Sequence, residues 1–237
     1  MSFKKETLRN YIEKATSLYN QFKNDKFLPF ICISNGNRKI GRVYNVSLSP
    51  ILSCGNCSHC SGLCYDVKAN VQYSNVLNAR VRNYYLAKDH TKEYFAMIDE
   101  FLYKKFRTRP ENKFFRWHVG GEIIDYNYFD QMTKIAIDHP DWHFWTYTKM
   151  HGIINCWLSN NGGKLPDNLI VMMSEWDGMP MFNPYDLPTF SCRLKGGNKN
   201  HDDSYFEKLW KCPGNCDICK KAHRGCIAGE SAYADEH

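Results

Sequence analysis

The sequence predicts an α/β fold, in which a mostly parallel sheet with flanking helices forms a single domain. Along the middle of the chain, short runs of β-branched and aromatic residues alternate with segments whose apolar residues recur at helical spacing. This alternation of strand and helix is typical of parallel sheets. The length of 237 residues suits one large domain with its own hydrophobic core. We therefore assign residues 1–237 to one domain.

The first half of the chain is predicted to contain helices and one β-hairpin. Apolar residues with Lys and Glu between them predict an amphipathic N-terminal helix within residues 1–25. Two β-prone runs, over 30–34 and 40–48, flank an Asn-Gly turn and predict the hairpin. Further helices are predicted over 67–89 and 92–106.

The second half supplies most of the predicted parallel sheet. Strands are expected over 114–119, 142–148, 169–174 and 189–194, with helices over 126–138 and 153–158 between them. The segment 211–237 is rich in cysteine and shows little periodicity, so we predict a cysteine-rich C-terminal loop there.

Composition and charge narrow the function classes. The net charge of +6 and the content of 15 Tyr, 14 Phe and 6 Trp are compatible with nucleic-acid binding through phosphate contacts and base stacking. The basic residues are spread along the chain without a run of five, which favours a solvated basic surface instead. No apolar run approaches the length of a membrane span, and no secretory signal is visible. We expect a cytoplasmic protein without a membrane partner.

Four of the eleven cysteines lie within residues 54–64, which we call the first cysteine loop. They are Cys54, Cys57, Cys60 and Cys64, and their C-x2-C-x2-C-x3-C spacing matches the loop that holds iron–sulfur clusters in bacterial ferredoxins. In a reducing compartment such cysteines favour metal binding over disulfides. One short continuous loop suits a four-iron cube better than a single zinc ion, whose four sulfurs must converge more closely.

A second set, the tail cysteine group, consists of Cys212, Cys216, Cys219 and Cys226. Its first three members have C-x3-C-x2-C spacing, which suits an iron–sulfur cluster, while the C-x2-C pair within it would also serve a zinc site. We therefore expect one or two 4Fe-4S clusters, with zinc as the alternative. We also expect the two sets to meet at one end of the sheet. The remaining cysteines, Cys32, Cys156 and Cys192, are interpreted as small buried hydrophobic residues.

A predicted strand ends at Gly120, Gly121 and Glu122, which we call the diglycine turn. Glycines there would let the backbone approach a ligand closely, although a tight turn without any ligand explains them as well. Together with the C-x3-C-x2-C spacing and the parallel sheet, this turn resembles radical S-adenosylmethionine enzymes. The resemblance implies a partial TIM-like barrel, a cluster on Cys212, Cys216 and Cys219, and S-adenosylmethionine bound at Gly120, Gly121 and Glu122. In that family the cysteine loop precedes the turn, whereas here this spacing follows it.

A closer resemblance, from about Asn35 to the C-terminus, is to the phage-encoded gene product eighty-eight family. It rests on the segments 37–41, 60–65 and 145–149, the strand before the diglycine turn, and Cys-Pro-Gly-Asn-Cys-x2-Cys over 212–219. The resemblance implies a phage or prophage origin, a location in the host-cell cytoplasm, an iron–sulfur protein and a fold similar to radical S-adenosylmethionine barrels. It supplies no reaction.

Three functional hypotheses follow. The first is an iron–sulfur protein with a redox or radical-S-adenosylmethionine-like role, served by an electron donor that the sequence does not identify. The second is an iron–sulfur protein that transfers electrons or senses redox state without S-adenosylmethionine. The third is a zinc-stabilised nucleic-acid-binding protein. Four polar residues near predicted strand ends, for which structural roles are favoured over catalytic ones, are His118, Lys149, Glu175 and Asp177.

Overall fold

The structure is a computed structural model that describes residues 5–38, 40–55 and 60–236. Its α-helices are α1 Lys5–Asn24, α2 Tyr65–Gln72, α3 Ser74–Asp89, α4 Thr91–Thr108, α5 Tyr126–Asp138, α6 His151–Asn160, α7 Asp203–Glu207 and α8 Cys216–Ala222. The strands are β1 Ile33–Ser34, β2 Tyr44–Val46, β3 Phe114–Trp117, β4 His143–Thr148, β5 Leu169–Ser174, β6 Thr189–Arg193, β7 Trp210–Lys211 and β8 Ala232–Asp235. Short 3-10 helices cover Ser61–Leu63 and Gly225–Ala228.

All the strands of the described chain belong to one sheet in the order β1-β2-β3-β4-β5-β6-β8-β7. Strand β1 runs antiparallel to β2, and every other neighbouring pair is parallel. The prediction of an α/β fold with a mostly parallel sheet is therefore confirmed. Within the described residues the sheet is not closed into a barrel, because β1 and β7 form its two free edges.

The two faces of the sheet are covered differently. On one face Phe115, Trp117 and Phe144 join apolar residues of α3–α6 in the main hydrophobic core. On the other face Trp145 and the partly buried Phe114 pack against residues of the C-terminal segment. This division follows from the alternation of side chains along a strand.

The N-terminal helix and the hairpin are confirmed, and the helix predicted over 67–89 is divided. Strand β1 pairs with β2 antiparallel, with Ile33 opposite Val46. Between α2 and α3, Tyr73 adopts an extended conformation (φ −125°, ψ 108°). Its N–H closes α2 on the Ala69 carbonyl, and its own carbonyl accepts the N–H groups of Val76 and Leu77 as α3 begins.

The C-terminal segment is more ordered than predicted. The irregular loop expected over 211–237 contains α8, a 3-10 helix and β8, and β8 inserts between β6 and β7. Ala232 of β8 lies opposite both Phe190 and Trp210. Elements of two to seven residues are too short to show a hydrophobic period, and their structure depends on their partners. Among the described helices, none is long and apolar enough to cross a membrane.

Candidate functional site

The first cysteine loop follows β2 and lies beside the ends of β3 and β4. Cys54, Cys60 and Cys64 are half-buried, whereas Cys57 lies outside the described residues. Burial, with a smaller contribution from the nearby thiols of Cys60 and Cys54, raises the pKa of the Cys64 thiol to about 11. The three described cysteines of this loop are therefore neighbours, and Cys64 is a thiol at neutral pH.

Hydrogen bonds tie the entrance of the first cysteine loop to the diglycine turn. The Ser53 hydroxyl donates to the Ser49 carbonyl over 2.8 Å and accepts the Glu122 N–H over 3.1 Å. The Leu48 N–H donates to the Gly120 carbonyl over 2.9 Å. The loop and the turn thus form one polar, hydrogen-bonded unit at the carboxyl edge of the sheet.

Packing requires both glycines of the diglycine turn. A Cβ atom on Gly120 would lie 1.9 Å from Oδ2 of Asp66, which is buried and forms an ion pair with Arg80. Gly121 has φ +84°, and a Cβ atom there would lie 2.7 Å from Cβ of Leu48. Close packing therefore explains these glycines without a ligand.

Glu122 is buried, and its carboxylate is engaged by the chain itself. Oε1 accepts the Ile123 N–H over 2.8 Å and the Thr148 hydroxyl over 2.6 Å, and Oε2 accepts the Lys149 N–H over 2.8 Å. Burial raises the pKa of Glu122 above its ordinary value, although these donors oppose the shift. The arrangement fixes the carboxylate and joins the turn to the end of β4.

The tail cysteine group lies on the face of the sheet opposite to helices α3–α6. Cys219 and Cys226 are buried, and Cys212 and Cys216 are half-buried. Burial, with smaller contributions from the thiols of Cys212 and Cys219, raises the pKa of Cys226 to about 12. Cys219 packs in an apolar cluster with Trp145, and none of the ten described cysteines forms a disulfide. The four thiols therefore share one largely apolar surrounding.

Two strand residues that the sequence analysis did not select, Arg116 and Tyr147, face this group. The Arg116 guanidinium lies 4.5 Å from the centroid of the Tyr147 ring and interacts electrostatically with Cys216 and Cys226. The Tyr147 ring packs in the same apolar clusters as Cys216, Cys219 and Cys226. Arg116 forms no ion pair with a carboxylate of the described residues, and its Nε is shielded from solvent without a hydrogen-bond partner.

The tail cysteine group is anchored to the loop between β1 and β2. The Asp217 carboxylate accepts the Arg42 N–H over 3.1 Å, and a Cβ atom on Gly41 would lie 2.3 Å from its Oδ2. The Lys220 ammonium pairs with Asp217 over 2.8 Å and donates to the Arg42 carbonyl over 3.1 Å. Two segments that carry the family resemblance, 37–41 and 212–219, therefore meet in space.

A protein-family model described as Gene product 88 matches residues 8–181, well over half of the chain. The chain belongs to the Gene product 88 family. The match fits the expected phage gene product family, and it includes the first cysteine loop and the diglycine turn. It ends before Cys212, although the resemblance was expected to reach the C-terminus. No curated protein and no solved structure matches this Gene product 88 chain.

The two cysteine sets of this Gene product 88 protein are linked through two residues. Tyr65 directly follows Cys64, and its hydroxyl donates to the Val119 carbonyl. Its phenol and the Arg116 guanidinium interact electrostatically, and Arg116 also interacts electrostatically with Cys216 and Cys226 of the tail cysteine group. In the described part of the chain, no three His, Cys, Asp or Glu side chains stand in an arrangement that would hold a metal ion.

The isolated cysteines differ from one another. Cys32 is half-buried, with Nη1 of Arg82 3.5 Å from its sulfur, and Cys192 is half-buried at the end of β6. Cys156 is exposed, so the prediction that it is buried is wrong. It lies on the outer side of α6, where its neighbour Trp157 is the residue that faces the core.

Two of the polar residues singled out from the sequence are engaged in structural hydrogen bonds. His118 is buried and hydrogen-bonded to the Tyr128 hydroxyl over 2.9 Å, and burial lowers its pKa to about 3. Glu175 accepts the Ser191 hydroxyl over 2.8 Å and lies 2.5 Å from Nε2 of His201. A sequence signal for Arg116 did exist, since it is the one charged residue in an aromatic strand, Phe-Phe-Arg-Trp.

Proposed function

We propose that this protein is a phage-type iron–sulfur protein with a redox role, in which the tail cysteine group and the first cysteine loop each bind a 4Fe-4S cluster. One observation carries the proposal. Four cysteines spread over fifteen residues come together beside a guanidinium that no described carboxylate neutralises. Thiolates that coordinate a metal would supply the missing negative charge.

The donor set fits such a group. Cys212, Cys216, Cys219 and Cys226 would hold one cluster, and Cys54, Cys57, Cys60 and Cys64 would hold the other. When bound, the clusters would supply one-electron chemistry. Because no described side chains already stand in a metal-binding arrangement, loading includes a movement of the tail thiols, as coupled metal binding and folding requires.

The engagement of Glu122 favours a redox role without S-adenosylmethionine. Its carboxylate already accepts two backbone N–H groups and the Thr148 hydroxyl, so a ligand amine would compete with donors of the chain itself. The strand order is compatible with a partial barrel of the radical S-adenosylmethionine type, since β2 to β6 follow one another and the sheet stays open. The barrel, like the binding of S-adenosylmethionine, is part of the proposal.

The test is anaerobic purification followed by quantification of iron, sulfide and zinc. We expect iron and sulfide in equal amounts, and we expect Cys212→Ser/Cys216→Ser and Cys60→Ser/Cys64→Ser each to lose about half of both. The control is Cys156→Ser, which changes an exposed cysteine outside both sets and should retain all of the iron. Stoichiometric zinc without sulfide would contradict the proposal. Electron paramagnetic resonance spectra that change on addition of S-adenosylmethionine would restore the radical-S-adenosylmethionine hypothesis.

A further inference from the structure

Arg116 stands out because its charge has no described counterpart in the chain. It lies on β3, half-buried, on the face that the tail cysteine group covers. The ionisable groups that interact most with its charge are Tyr147, Tyr65, Cys216 and Cys226. None of these groups is a carboxylate, and the Arg116 Nε is shielded from solvent without a hydrogen-bond partner. A shielded cation without a carboxylate partner is unfavourable unless something compensates it.

We propose that Arg116 is the built-in counter-charge of the tail cysteine group, which it stabilises in the metal-loaded, anionic state and whose reduction potential it raises. The inference rests on the proposed function, because it requires the group to bind metal. Four thiolates around a zinc ion or an oxidised 4Fe-4S cluster carry a net charge of about −2. Loading therefore places negative charge near a guanidinium that stacks on Tyr147, whose ring packs in the same apolar clusters as Cys216, Cys219 and Cys226.

The direction of the effect on potential follows from charge. Reduction adds one electron to the cluster and makes it more negative, so a fixed nearby cation stabilises the reduced state more than the oxidised one. Stacking on Tyr147 at 4.5 Å helps to hold the guanidinium in place before and after loading. Arg116 is thus a positioning residue that acts through its charge and touches no substrate.

The chain offers a matched control in Arg82. This arginine is also half-buried, its Nε is likewise shielded without a partner, and its Nη1 lies 3.5 Å from the sulfur of Cys32. Cys32 belongs to neither cysteine set. Arg82 and Arg116 are thus both shielded arginines near a cysteine, but Arg82 lies beside a single cysteine. Only Arg116 lies on the face that carries a group of four.

The experiment compares wild type, Arg116→Gln, Arg116→Lys and Arg82→Gln by anaerobic redox titration followed by electron paramagnetic resonance. The tail signal is identified as the one that Cys212→Ser removes. We expect Arg116→Gln to weaken the reduced state about tenfold relative to the oxidised state, which lowers the one-electron potential by about 59 mV. The reduction potential of Arg116→Lys should stay close to that of wild type, and that of Arg82→Gln should equal it. In a separate measurement, Arg116→Gln should lose metal to a chelator at least about tenfold faster than wild type.

A second measurement excludes a merely structural role. In the metal-free protein Arg116 is an uncompensated charge, so Arg116→Gln should leave the urea midpoint unchanged or raise it, whereas in the loaded protein it should lower the midpoint. The inference alone would be overturned if wild type and Arg116→Gln had the same reduction potential and the same rate of metal release. It would also be overturned if Arg116→Gln lowered the urea midpoint equally in the metal-free and the loaded protein. If the Cys212→Ser variant bound as much metal as the wild type, the proposed function would be overturned as well.

Discussion

The two cysteine sets lie in different surroundings and are held in place in different ways. The first cysteine loop lies at the carboxyl edge of the sheet, where polar hydrogen bonds tie it to the diglycine turn. The tail cysteine group lies on an apolar face of the sheet, with Cys219 and Cys226 buried. The family match includes the first set and ends before the second. Hydrogen bonds to the end of the sheet thus support one set, whereas the other set is itself part of the layer that covers the sheet.

The largest expected effect is the response of the tail to loss of metal. Helix α8 has only seven residues and cannot be stable on its own, so metal bound to the tail cysteine group would supply much of its stability. After anaerobic chelation we expect cleavage within 212–229 to become at least about tenfold faster, while the core strands β4 and β5 stay protected. Limited proteolysis with mass spectrometry measures both.

Single cysteine substitutions test the same difference between the tail cysteine group and the first cysteine loop. In the loaded protein Cys226→Ser should reproduce the rapid cleavage of the tail, because it removes a buried member of the group. Cys60→Ser changes the half-buried loop and should leave the tail protected. Equal cleavage of the tail with and without metal, or cleavage that begins in the first cysteine loop, would remove the distinction between the two cysteine sets.

The next effect concerns the diglycine turn, to which the first cysteine loop is hydrogen-bonded. Gly120→Ala would put a methyl group 1.9 Å from the Asp66 carboxylate, which cannot move away easily because it is buried and paired with Arg80. We expect a loss of about 3 kcal/mol in the free energy of unfolding, measured by urea denaturation. The control Gly152→Ala lies in α6 with nothing within 4 Å and should instead gain about 0.5–1 kcal/mol. A neutral Gly120→Ala would mean that the turn has room for a side chain.

How much of the structure could be predicted from the sequence differs between the central sheet with its helices and the C-terminal segment. The helix Tyr126–Asp138 and the strand Leu169–Ser174 were predicted with their observed bounds, because long periodic or continuously apolar segments report their own burial. Strand β8 was missed, because four residues between β6 and β7 are defined by their partners and not by their pattern. Cysteine spacing identified both cysteine sets but could not show that one of them would lie on the same face of the sheet as Arg116.

The smallest effect tests the polar support of the first set through Glu122. Thr148→Val removes the 2.6 Å hydrogen bond to its buried carboxylate and should lower the free energy of unfolding by about 1–2 kcal/mol at pH 7. Since the folded pKa of Glu122 is raised above its ordinary value, its contribution is present below pH 4.5 and is lost as the pH rises through the folded pKa. Losing the donor raises that pKa further, so the loss should extend to higher pH in the variant.

Urea denaturation at a series of pH values measures this against a matched threonine. Thr133 is equally buried, but its hydroxyl donates to the neutral carbonyl of Asp130 over 2.7 Å. Thr133→Val should therefore cost a similar amount at every pH, whereas the cost of Thr148→Val should shrink as the solution is acidified and Glu122 becomes protonated. Parallel pH profiles for the two variants would mean that the Glu122 carboxylate does not depend on Thr148. The diglycine turn would then be held by its backbone hydrogen bonds and by the close packing of Gly120 alone.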